Sequence, residues 1–151
     1  MEFEPDDDPR GLGLAAMLAE GHLLEDAHPE WVADLIEAFE IELPMCRFLA
    51  DLAVELLATH PDPDAWIEER RREVPESPFD DSEAAASETA LAAIAALRAG
   101  DPLHASTLLV GTPLREVLLA FGRELAVIFD AQEGGRERLA RWGQAAHDRL
   151  G

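Results

Sequence analysis

The chain has 151 residues, 48% of them hydrophobic, and a formal net charge of −20 at pH 7. That length suits one domain with a continuous core, and the hydrophobic share argues against a disordered acidic chain. The charge disfavours direct binding of nucleic acid, whose phosphates it would repel, and no run of about 18 apolar residues offers a bilayer span.

The charge is unevenly spread. Residues 1–90 hold 25 Asp and Glu against five Arg, which accounts for the whole −20, whereas residues 91–151 hold seven acids and seven Arg. Every one of the twelve basic residues is Arg. The absence of Lys beside abundant Ala reads as GC-rich coding, with salt adaptation as the competing reading. The single cysteine, Cys46, excludes an intramolecular disulfide and a Cys-rich zinc site. An acidic N-terminus lacks the positive charge of a secretory signal, so a cytoplasmic protein is expected.

Residues 1–9 read as a flexible acidic tail, and residues 10–151 as a single α-helical domain with an acidic part (10–90) and a neutral part (91–151). Leu12, Ala15, Leu18, Ala19 and His22 recur at helical spacing. Pro29 suits a first helical position, and Val32, Leu35, Ile36, Phe39 and Leu43 follow as one stripe. Pro44 predicts the start of the next helix, along which Met45, Phe48, Leu49, Leu52, Ala53, Leu56 and Leu57 form an apolar face. Pro61 and Pro63 end that helix near His60. Asp64 is the expected cap of a short helix over Trp66, Ile67 and Arg70–Arg72, with the arginines neutralised by Glu68, Glu69 and Glu73.

Residues 74–81 read as a loop, with Asp80 or Ser82 capping an Ala-rich helix that ends near Ala99. Gly100-Asp101-Pro102-Leu103 and Gly111-Thr112-Pro113-Leu114 then write one phrase twice: stop, cap, first-turn Pro and core Leu. The first belongs to a helix joint of a kind common in Ala-rich bacterial proteins, which capping chemistry explains. Leu114, Val117, Leu118, Phe121, Leu125, Ile128 and Phe129 make a strong stripe, and Gly134-Gly135 separates it from a last helix over Leu139, Trp142, Ala146 and Leu150. No window alternates as a strand would. The fold class is therefore all-α, a compact single-domain bundle of about seven or eight helices without a β-sheet.

Few residues form a chemical constellation. His22, Glu25 and His28 are the metal-site candidates, but a helical di-iron site needs a second Glu-x-x-His and further glutamates. His60 with Asp62 and Asp64 reads as a helix exit and cap. Asp101, His104 and Ser106 carry the residue types of a hydrolase triad, yet Ser106 points away from the other two. Cys46 reads as a buried small hydrophobe. No catalytic residue, cofactor site or metal is assigned, and an enzyme is not expected.

Between Glu20 and Glu42 eight acids occur without one Arg. Glu30, Asp34, Glu37 and Glu40 share one side of the predicted helix and form the expected partner-binding face. The expected function is therefore non-catalytic binding of a basic protein partner, as a regulator, adaptor, chaperone or immunity-type binder. Two alternatives stand beside it: a DNA mimic that inhibits a nucleic-acid-binding protein, and a helical small-molecule or metal-binding protein or enzyme. The Ala-rich segment from Ala84 to Ala96 leaves homodimerisation open.

Overall fold

The computed structural model describes residues 34, 36–38, 40–73, 81–135, 137–141 and 144. Five helices span α1 (Glu42–Leu57), α2 (Pro63–Glu73), α3 (Asp81–Arg98), α4 (Pro102–Leu109) and α5 (Leu114–Ala131). Helical residues at 34 and 36–38 precede α1, and further ones at 137–141 follow α5. Among the described residues there is no strand, so the all-α class holds. The acidic tail, the segment around His22, Glu25, His28 and Glu30, Asp80 and the final residues from 145 lie outside the described residues.

Local chemistry fixes most boundaries. The start of α1 corrects the sequence expectation: the helix begins at Glu42, two residues before Pro44. Pro44 fits inside the first turn because the first four N–H groups of a helix lack partners anyway. The preceding segment stops where Glu40 turns to φ 55°. Glu40 N–H donates to Glu37 O and Ile41 N–H to Ile36 O, at 3.0 and 3.3 Å. These two bonds make a Schellman stop, with glutamate in the left-handed position that Gly usually fills. Leu43 thus belongs to α1, and the stripe that began at Val32 does not run through it.

The stop expected at Gly100 has the same geometry. Gly100 lies at φ 80° and Asp101 N–H donates to Ala96 O at 3.0 Å. Asp101 then caps α4 by accepting His104 N–H at 3.0 Å. Two other caps differ from expectation. Asp62, not Asp64, accepts Ala65 N–H at the start of α2, because Pro63 already occupies the first turn. Thr112 donates its hydroxyl backward to Leu109 O, so Pro113 stands at the N-cap of α5 without a side-chain cap.

The core is built from Leu49, Leu52 and Leu57 of α1, Leu91 and Ile94 of α3, Leu109 of α4, and Leu118, Phe121 and Phe129 of α5, all fully buried. Such side chains contribute roughly 1.5–3 kcal/mol each when removed from water. Cys46 Sγ lies against Leu114 O, and Gln132 just past α5 reaches Leu56 O near the end of α1. These contacts make α1 and α5 parallel neighbours, so α2, α3 and α4 together form the crossover between them. Ala86, Ala90, Ala93 and Ala96 of α3 are buried within this packing. Their short side chains allow close approach of neighbouring helices. Ala84, Ala92 and Ala95 are half-buried and Ala85 is exposed.

Leu103 departs from its expected core role, being 77% exposed. On α4 the buried side chains are Ala105 and Leu109 instead. The cap at Asp101 and the docking of Arg47 on Pro102 O and Ser106 Oγ set that rotation.

Candidate functional site

The arginines decide what kind of surface the helices present. Arg70 on α2 donates Nε and Nη2 to the two carboxylate oxygens of Glu124 on α5, both at 2.8 Å, and Nη1 to Glu73 at 3.0 Å. Glu124 is fully buried and the Arg70 side chain is only 15% exposed. The Glu124 hydrogen bonds are the main cause that raises the Arg70 pKa above its ordinary value. This two-pronged geometry satisfies both carboxylate oxygens, which a buried ion pair requires. Arg70 thus keeps the local Glu73 contact that the sequence suggested, but its main partner is the buried Glu124, so it does not lie on a solvated face. A signal for it was present: Glu124 falls between Phe121 and Leu125 on the buried stripe of α5, where a charge needs a partner.

Other arginines are also committed. Arg98 on α3 pairs with Asp64 on α2 at 3.3 Å, and Arg71 pairs with Glu88. Arg123 on α5 donates to Ser87 Oγ and Glu83 O at the start of α3. Arg47 on α1 holds α4 through Pro102 O and Ser106 Oγ. Most of these bonds join the acidic part of the chain to the neutral part. Three arginines of the neutral part, Arg98, Arg115 and Arg123, thus serve as ties to the acidic part.

Asp34 and Glu37, two of the proposed docking residues, meet Arg115 near the start of α5. Arg115 Nη1 contacts Asp34 Oδ1 and lies 3.3 Å from Glu37 Oε2. The hydrogen bond with Asp34 is the first cause that raises the Arg115 pKa. The Asp34 and Glu37 side chains remain 66% and 57% exposed, so the pair is worth at most about 1 kcal/mol. Glu40 is exposed at the Schellman stop. The structure brings Asp34, Glu37 and Glu40 to one exposed helix end, while Glu30 lies outside the described residues. Asp51, Glu68, Glu69, Glu116, Glu133 and Glu137 are further exposed acids.

The remaining constellations resolve into structural roles. His60 Nδ1 accepts Asp62 N–H at 3.0 Å, in the turn between α1 and α2. Asp101 caps His104, and Ser106 accepts from Arg47, so the three form no relay. Cys46 is fully buried, and that burial pushes its thiol up to about 12. Its conjugate thiolate is correspondingly inaccessible at neutral pH. No cluster of three metal-ligating side chains occurs among the described residues, and the metal-site candidates His22, Glu25 and His28 lie outside them. No helix among the described residues is long and apolar enough to cross a membrane.

One cleft of about 350 Å³ opens where α1 ends, α2 begins and α5 ends. Leu57, Pro61, Trp66, Ile128 and Ala131 form its apolar wall, and Thr59, His60, Gln132 and Glu133 its polar rim. Gln132 is fixed there by donating Nε2 to Leu56 O and Thr59 Oγ1 at 3.0 and 3.4 Å. The turn after it depends on Gly135, where a Cβ would sit 1.8 Å from Phe129 O. No local sequence pattern marks this cleft, since its lining joins residues from distant helix ends. No family model matches the chain, and no curated protein or solved structure is detectably similar to it.

Proposed function

We propose that this protein acts by binding a basic protein partner through its carboxylate surface, as a regulator, adaptor, chaperone or immunity-type binder rather than an enzyme. The observation that carries this reading is the division of charge. Arg47, Arg70, Arg71, Arg98, Arg115 and Arg123 are committed within the fold, so the outward charge is dominated by carboxylates. A surface of one sign steers an oppositely charged protein and raises its association rate.

Asp34, Glu37 and Glu40, with Glu30 before them, are the residues assigned to docking. The backbone at Glu40 supports that assignment, because a non-glycine residue is held at φ 55° where Gly would fit with less strain. A lone buried thiol suits a cytoplasmic setting, which completes the reading.

The test is affinity capture from lysate with the natural protein and a variant carrying Glu30→Gln, Asp34→Asn, Glu37→Gln and Glu40→Gln. A charge-matched control neutralises Asp51, Glu68, Glu69 and Glu137 on other segments. Loss of a basic partner in the docking variant but not in the control supports the reading. Retention of every partner by the docking variant removes it. Recovery only of DNA-binding proteins that duplex DNA displaces would replace the adaptor with a DNA mimic.

A further inference from the structure

We propose that the cleft beside Trp66 is an anchor site for one arginine side chain displayed by the basic partner. The inference rests on the partner being basic, and it adds a second contact at the other end of α1. Sixteen residues of α1 separate the two ends, about 24 Å at the helical rise, so the cleft is distinct from the Asp34–Glu40 face.

The lining fits a guanidinium on an aliphatic stem. Leu57, Ile128 and Ala131 offer apolar contact for three methylene groups, and Trp66 supplies an aromatic wall. Arginine is the cation that most often stacks on indole, where the ring quadrupole attracts it. Glu133 at the rim is exposed and has no cationic partner among the described residues. Its carboxylate can accept a two-pronged guanidinium contact. Gln132 spends its Nε2 on Leu56 O and Thr59 Oγ1, which leaves Oε1 as a fixed acceptor.

The same inventory argues against other occupants. No Arg lines the cleft, so an anionic ligand would meet Glu133 and a net charge of −20 without compensation. A purely apolar side chain would make no use of the Glu133 carboxylate or of Gln132 Oε1. A second copy of this chain is a poor donor, because two chains that each carry a net charge of −20 repel one another. A volume near 350 Å³ matches one side chain or a small ligand.

The probes are two blocked pentapeptides, Gly-Gly-Arg-Gly-Gly and the same peptide with neutral citrulline at the centre. Binding is read from the indole N–H resonance of Trp66 in the full chain. The expected result is a saturable shift with the arginine peptide and binding about tenfold weaker with citrulline. Glu133→Gln, an exposed change that leaves the core intact, should weaken the arginine peptide by a similar factor, whereas Glu37→Gln should not. No saturable shift, equal binding of the two peptides, or an unchanged affinity in Glu133→Gln would each overturn the proposal. So would a Trp66 shift on diluting the protein alone, which would assign the cleft to a second copy. The peptides need no natural partner, so failure here leaves the docking face standing, and failure of the docking face leaves the peptide titration unchanged.

Discussion

Replacing Arg70 with Met leaves Glu124 buried without its counter-charge. The native carboxylate has no solvent exposure and accepts two hydrogen bonds of 2.8 Å from Arg70. Breaking a buried pair from one side costs about 3–5 kcal/mol, mainly the penalty of the orphaned charge. For a domain of this size each kcal/mol shifts the midpoint by about 2–4 °C, so Tm should fall by roughly 6–20 °C. Urea unfolding followed by far-ultraviolet circular dichroism gives the free energy directly. Removing both charges in Arg70→Met/Glu124→Leu should recover most of the loss, because neither partner is then stranded. Arg70→Lys should fall between, as an ammonium cannot reproduce the two-pronged contact. An Arg70→Met loss below about 1 kcal/mol, or a double variant less stable than the two single losses combined, would refute the buried-clasp argument.

Cys46 provides an alkaline signature with few competitors, because the chain contains neither Lys nor Tyr. Its thiol pKa is about 12 in the fold against an ordinary 9.0, chiefly through burial. The unfolded chain therefore releases this proton first, and stability falls as pH rises between those two values. The loss should be about 1 kcal/mol by pH 10, and this extra slope should vanish in Cys46→Ala; an identical slope in that variant would refute the assignment. At the Schellman stop, Glu40→Gly should stabilise the protein by about 0.5–1 kcal/mol in chemical denaturation, since the left-handed residue no longer carries a Cβ. A loss of stability there would contradict the strain at Glu40.

The helices were legible because their signals are local. The stripes from Met45 to Leu57 and from Val117 to Phe129 each bury the face that their 3.6-residue spacing predicts. Gly100 and Asp101 act as the stop and cap their residue types suggest. Where two local signals competed, the reading slipped by a few residues. Pro44 was compatible with both starting α1 and sitting inside its first turn, and the left-handed Glu40 that decides the matter has no sequence mark. Leu103 misled for a different reason: an eight-residue helix has too few apolar positions to define its buried side, so distant Arg47 sets its rotation. The clasps were least legible. Arg70 and Glu124 lie 54 positions apart, and Arg115 and Asp34 lie 81 apart. Only packing brings such pairs together, although Glu124 within an apolar stripe announced that some cation had to reach it.

The proposed function has an outward carboxylate surface recruit a basic protein. Its most direct test is the association rate of the captured partner at low and high salt, for the natural protein and the variant neutralised at Glu30, Asp34, Glu37 and Glu40. The natural rate should fall about tenfold or more as salt screens the surface. The variant should start slow and respond weakly to salt, while the charge-matched control keeps most of the natural rate. Equal rates for all three proteins, unchanged by salt, would contradict that function.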